Sequence, residues 1–386
     1  MRLNIPFDNT YAALDEVFFS RVNPVAVKDP TLIAYNAKLA KEIGITSGTE
    51  DEHAKVFSGT RLAKGTDPLA QLYAGHQFGH YSSQLGDGRA VLLGETCGSD
   101  NRRWDIQLKG SGPTAYSRMG DGRAVLGPVM REYIVSEAMF NLGVRTTRAL
   151  AISMTGEMVR REHMEPGAIL TRIASSHIRV GTFQYFHGLG DDEAVKLLAD
   201  YAIKRHYPHA ENTEQPYLTL LEGVIQNTAE LISSWMLIGF IHGVMNTDNT
   251  SISGETIDYG PCAFMDGFRP NKTFSSIDSG GRYAYDHQPM IGQWNLTRFA
   301  ETLLKLIDKD QTNSIEIAKR SLEHFWRYFE KAFHNGLCKK IGLSGLDKEG
   351  TKLAFDFLDL LAKSEVDFTI SYRALGCLLY TSDAAD

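Results

Sequence analysis

Residues 242–260 read HGVMNTDNTSISGETIDYG, and the fold is decided by what this stretch holds and what flanks it. It closes the most apolar run of the chain, Leu231–Met245, which is shorter than a membrane span requires and contains His242; a buried helix is the reading. Asn249 and Asp258 offer oxygen ligands of the kind that suit Mg²⁺ or Mn²⁺. Directly after Asn249, TSISGETIDYGP (250–261), which includes Asp258, reads as a short hairpin turning at Ser253–Gly254. Asp248, beside Asn249, is a carboxylate able to accept a proton.

Working upstream, the texture is glycine-punctuated and extended. RAVLLGETC (89–97) and RRWDIQLKG (102–110) read as two strands, followed by a loop and a helix from Val129 to Asn141 closed by Gly143. TRALAISMTGEMVR (147–160) reads as strand, turn, strand, and AILTRIA (168–174) as one more strand. An amphipathic helix is expected near Pro30–Ile43. Downstream of Ile178 apolar residues recur at helical spacing over Asp191–Arg205, Tyr217–Ile241, 296–308, 313–335 and 347–364. The expected class is α+β, with a β-rich N-terminal lobe and a mainly helical C-terminal lobe. Its parts are an N-terminal extension over 1–65, a β-rich nucleotide-binding lobe over 66–180 and a helical lobe over 181–375. The last residues, GCLLYTSDAAD (376–386), carry no periodicity and read as a non-native tail.

Lys109 ends an alternating strand, and Glu132 lies on the next helix. A strand lysine paired with a helix glutamate is how protein-kinase folds hold nucleotide phosphates, because the carboxylate fixes the ammonium in place. Kinase catalytic loops follow HxDxxxxN, with a base third and a metal-binding asparagine eighth. Here His242 and Asn249 fill the first and eighth positions, and Asp258-Tyr259-Gly260 stands where DFG would. The third position is Val244, which cannot accept a proton. Asp248 is the available replacement, which points away from ordinary γ-phosphoryl transfer.

LGDGRA (85–90) and MGDGRA (119–124) are near-duplicates bracketing the Lys109 strand. Glycine lets backbone N–H groups approach phosphate closely, although Asp-Gly is equally a common turn. Arg172 and Arg179 supply planar forks suited to phosphate. His76 and His80, in YAGHQFGHY (73–81), lack an adjacent acidic ligand and read as packing residues rather than a metal site.

Taken together, LYAGHQFG, QLGDGRA, QLKGSGPT, GDGRAVLGPVMREY, HGVMNTDN and DYGPCAFMD resemble the selenoprotein O (YdiU) family. The resemblance implies a protein-kinase-like two-lobed fold and transfer of AMP from ATP, or UMP from UTP, to Ser, Thr or Tyr hydroxyls of proteins. It implies ATP contacts from Gly86, Gly88, Arg89, Lys109, Asp121, Gly122, Arg172, Arg179 and Asp258. It further implies Mg²⁺ or Mn²⁺ on Asn249 and Asp258, Asp248 as proton acceptor and Glu132 paired with Lys109. Two other readings stand beside it: a kinase transferring the γ-phosphate, and a nucleotide-binding scaffold without activity.

A net charge of −7 argues against a nucleic-acid partner, which wants a basic surface. Four cysteines without a CxxC make neither a zinc site nor a disulfide framework and point to a reducing compartment. The polar N-terminus has no signal-peptide core. The expectation is a bacterial cytoplasmic protein, off the membrane, acting as a monomer on protein substrates.

Overall fold

The computed structural model describes residues 3–344 and 347–382, with side chains described as far as Gly376. The chain divides into two compact units. Among the described residues, 3–76, 80–191 and 255–259 form the first, and 77–79, 192–254 and those from 260 on the second.

The N-terminal part of the chain runs β1 (Phe19–Arg21), β2 (Thr31–Tyr35), α1 (Ala37–Glu42), α2 (Glu50–Phe57), β3 (Leu69–Gln71), β4 (Gly75–Gln77), β5 (His80–Ser82), β6 (Ala90–Cys97), β7 (Arg103–Lys109), β8 (Ala124–Val125), α3 (Leu126–Asn141), β9 (Arg148–Arg160), β10 (Met164–Ala174) and α4 (Val180–Leu189). Among the described residues, eight strands make one sheet in the order β1-β3-β6-β7-β10-β9-β2, with β8 added on β10. The pleat of β7 sends Trp104, Ile106 and Leu108 into a core shared with Leu39, Phe57, Leu150 and Ile173. Asp105, Gln107 and Lys109 therefore share the other face, and Gln107 stands directly opposite Arg172 on β10. This is how a polar row comes to lie along a buried sheet.

Helix α3 is anchored by Glu137. Its carboxylate accepts two hydrogen bonds at 2.7 Å from the Arg148 guanidinium, one at 2.8 Å from Asn36 Nδ2 and one at 3.0 Å from the Ala149 N–H. Paired forks of this kind are directional as well as strong. They fix the face of α3 that carries Glu132.

Several expectations are corrected here. Pro30–Ile43 is not one helix: Thr31–Tyr35 pairs with β9, and the helix begins only after Asn36, whose Oδ1 caps the Leu39 N–H at 3.0 Å. Residues 148–160 are one strand, because Thr155–Glu157 form a bulge opposite Gly167 instead of a turn. Gly156, at φ +69°, takes up the distortion. Helix α4 has no counterpart in the sequence reading; its apolar residues are buried on nearly every side, so no 3.6-residue stripe shows.

The second unit is helical: α5 (Asp192–His206), α6 (Pro216–Leu237), α7 (Gln288–Ile307), α8 (Gln311–Lys340), α9 (Lys348–Ser364) and α10 (Phe368–Ser382), with a two-stranded sheet of β11 (Phe240–Ile241) and β12 (Ala263–Phe264). The helix expected to reach Ile241 stops at Leu237, where Gly239 at φ +68° turns the chain into β11. The expected hairpin over 250–261 is absent as such. A turn does close between Ser251 and Gly254, with Gly254 N–H donating to Ser251 O at 3.2 Å, but its downstream arm pairs in parallel with Thr146 through Thr256. The residues read as a non-native tail, 376–386, lie partly outside the described residues; α10 continues past Gly376. Among the described residues no helix is long and apolar enough to cross a membrane.

Candidate active site

In the first unit, five of the expected site residues meet. Lys109 Nζ donates to Glu132 Oε2 at 2.6 Å and to Asp258 Oδ1 at 2.7 Å. Arg172 reaches the same two carboxylates, at 3.2 Å to Glu132 and 2.7 Å to Asp258. Arg179 Nη1 meets the other Asp258 oxygen at 2.9 Å, and its guanidinium lies 4.5 Å from the Tyr73 ring centre. Asp258 is thus held by three cations. It sits at φ +64°, a left-handed conformation that Asp tolerates better than most residues but that still has to be held in place by its surroundings.

Two residues that the sequence reading missed support the arginines. Gln107 Oε1 accepts from Arg172 Nη2 at 2.6 Å, while its Nε2 donates to Asp87 Oδ2 at 3.0 Å. Asp87, buried, also accepts from the Gln71 N–H at 3.2 Å and the Tyr73 hydroxyl at 3.3 Å, and lies 3.8 Å from Arg179. Lys109, Arg172 and Arg179 are therefore balanced by Glu132, Asp258 and Asp87, and the cluster is electroneutral. Strand period gave a signal for Gln107, which precedes Lys109 by two and shares its face.

Burial penalises the Asp258 carboxylate, but Lys109, Arg172 and Arg179 outweigh it and hold the group well below the usual carboxylate range. Arg172 is likewise penalised by burial and raised overall by Asp258 and Glu132. Beneath them His177 Nδ1 bonds Asp105 at 2.8 Å; burial dominates and lowers its pKa, leaving a neutral ring. The bond fixes the segment leading into Arg179.

The glycine-rich repeats are not equivalent. Asp87 of the first is buried, whereas Asp121 of the second is exposed and paired with Arg161 at 2.8 Å. Gly86, at φ +120°, packs so closely that a Cβ would come within 2.5 Å of the Tyr116 ring. Gly122, at φ +66°, would place a Cβ 2.1 Å from the Gly112 carbonyl carbon. Gly88 would meet the Tyr116 carbonyl at 2.9 Å. Glycine at these positions is required by one loop lying on another. Arg89 is exposed.

Asp248 and Asn249 belong to the second unit. Asn249 Nδ2 donates to the carbonyl of Val244 at 3.0 Å, so the residue that departs from the kinase pattern orients the asparagine through its backbone. Gln288 Oε1 accepts from the His242 N–H at 3.0 Å, and Asn295 Nδ2 donates to Met245 O at 2.9 Å. These bonds brace the loop from α7. His76, in the first unit, accepts or donates at 2.9 Å with Gln184. Among the described residues no three His, Cys, Asp or Glu side chains gather as a metal site.

Cations gathered at one end of a sheet and held in place by carboxylates define a class of centre suited to a polyanion such as a phosphate chain. The sequence profile described as "Protein adenylyltransferase SelO" matches residues 1–383, and the chain belongs to that family. Among similar proteins, the protein nucleotidyltransferase YdiU of Rhodopseudomonas palustris strain HaA2 is 57% identical, covering 100% of this chain and 77% of its own. Those of Methylorubrum populi, 56% identical over 96% and 75%, and Agrobacterium fabrum, 54% identical over 96% and 76%, carry the same name.

Proposed function

We propose that this chain is a protein-kinase-like enzyme that transfers AMP from ATP, or UMP from UTP, to Ser, Thr or Tyr hydroxyls of other proteins. The observation that carries the reading is the convergence of Lys109, Arg172 and Arg179 on Asp258, in a chain of the SelO family. Lys109, steadied by Glu132, and the two arginines receive the triphosphate, with Gly86, Gly88, Arg89, Asp121 and Gly122 supplying its remaining contacts by their motif positions. Asn249 and Asp258, both oxygen donors, are the residues that would hold Mg²⁺ or Mn²⁺, which when bound neutralises phosphate charge.

The acceptor oxygen attacks the α-phosphorus and forms the new P–O bond, while the bond to the β-phosphate oxygen breaks and pyrophosphate leaves. Asp248 accepts the hydroxyl proton. The cations neutralise charge developing on the departing oxygens, where phosphoryl-transfer catalysis is concentrated. Val244 in the position of a kinase base supports transfer of the nucleotidyl rather than the γ-phosphoryl group.

Incubation with Mg²⁺ and ATP labelled at either the α or the γ phosphate tests this directly. Label should enter a protein acceptor from the α position alone. Asp248→Ala should abolish transfer, a loss of roughly 10²–10⁴-fold for a placed base, while ATP affinity is retained. Label from the γ position, or wild-type transfer by Asp248→Ala, would overturn the reading.

A further inference from the structure

The geometry points to Gln77 as a positioning residue for the Asp248 carboxylate, an inference that rests on Asp248 being the base. Gln77 Nε2 donates to Asp248 Oδ2 at 3.0 Å, and both belong to the second unit. Asp248 is buried, so the orientation of its carboxylate is set by hydrogen-bond partners and not by water.

What makes the contact more than incidental is how Gln77 is held. It ends β4, and β5 resumes at His80, so Phe78 and Gly79 are the two central residues of a tight hairpin turn. Their φ values, +52° and +85°, are those of a type I′ turn, which prefers Asn-Gly. A bulky aromatic residue at the first position is conformationally unfavourable and persists only where its surroundings compensate. They do so here on the loop that carries Asp248. The Phe78 N–H donates to Asn246 Oδ1 at 3.3 Å and to the Tyr283 hydroxyl at 3.0 Å. The Tyr283 hydroxyl donates to Asn246 Oδ1 at 2.7 Å, and the two aromatic rings meet edge to face at 5.1 Å. Tyr283 is itself fixed through its backbone N–H, which donates to Asp278 Oδ2 at 2.8 Å. The strained residue is thus clamped two positions before Asp248 in the loop and one position after Gln77 in the hairpin, which fixes the Gln77–Asp248 pair from both sides. An amide donor at a fixed distance sets the rotation of the carboxylate, and placing a base to within a fraction of an ångström is where such support acts.

Gln77→Glu keeps the shape and loses the donor. With α-labelled ATP, Mg²⁺ and casein as a hydroxyl-bearing acceptor, kcat should fall roughly ten- to a hundredfold, part of what a placed base contributes, while KM for ATP stays within about twofold. In an Asp248→Asn background the same substitution should cost nothing further, because the group it positions is gone. Gln77→Met, uncharged and of similar length, should reproduce the kcat loss if Gln77→Glu folds poorly, with the thermal midpoint as control. A wild-type kcat in both variants, a loss confined to KM, or an equal loss in the Asp248→Asn background would each overturn the inference. If Asp248→Asn itself transferred at the wild-type rate, the assignment of the base would fail instead.

Discussion

Arg172 heads the fully buried side chains by volume, and its surroundings say why an arginine is there. One guanidinium edge meets Glu132 and Asp258 and another meets Gln107, a geometry that a lysine's point charge cannot reproduce. Removing it leaves the buried Glu132 and the half-buried Asp258 each short of a partner. Arg172→Met is expected to destabilise the protein by about 3–5 kcal/mol, the range for a broken buried pair, read from urea midpoints, and Arg172→Lys should recover only part of that. A change below about 1 kcal/mol would mean that water already compensates these charges. That Lys109, Glu132, Arg172 and Asp258 were candidates was legible in the sequence, strand period pointing to Lys109, helix position to Glu132 and motif context to Arg172 and Asp258, and the structure brings the four side chains together. Gln107 and Asp87 were not singled out, since an uncharged amide and the aspartate of a turn-like Gly-Asp-Gly carry no chemical signature until a strand register brings them beside an arginine.

Helix α3 shows how an element places a residue it does not itself bond. Glu132 is fixed by Lys109 and Arg172, but the helix is held by Glu137, one and a half turns later, through Arg148, Asn36 and the Ala149 N–H. Glu137→Ala should therefore cost about 3 kcal/mol and also weaken ATP binding, although Glu137 is outside the proposed phosphate contacts. Nucleotide titration of the folded variant checks it, and unchanged affinity would show that Lys109 and Arg172 place Glu132 unaided. The helix was legible because its apolar spacing and the Gly143 that closes it, at φ +80°, are local. The misread elements were those decided by distant partners: β2 exists because β9 accepts it, and the Thr155–Glu157 bulge because β10 continues opposite.

For the molecule as a whole, one contribution to the response of stability to alkaline pH comes from a group outside the motifs. Burial pushes Lys340, at the end of α8, down from its ordinary 10.5 to about 8, against the pull of the Phe368 and Tyr372 rings at 4.9 and 4.1 Å. At pH 7 both folded and unfolded chains are protonated and the folded one carries the whole burial cost. As pH rises past about 8 the folded state releases its proton first, and the cost disappears by about 10.5, so this group's contribution to stability rises across that window. Lys340→Met should be more stable than wild type at pH 7 by about 1–2 kcal/mol after discounting for partial exposure. The gap in thermal midpoint should close between pH 8 and 10.5; a gap independent of pH would locate the effect in packing alone. Sequence by itself determined the α+β division, the strand lysine, the helix glutamate, the asparagine–aspartate loops and the family, because periodicity and motif spacing are written along the chain. Tertiary structure alone decided that Asp258 belongs with the sheet while Asp248 belongs with the helices, that the two Gly-Asp-Gly copies part company, and that a strained Phe78 holds Gln77 against Asp248. The physical reason is that burial and hydrogen-bond partnership are set by residues distant in sequence, whose approach no local pattern encodes.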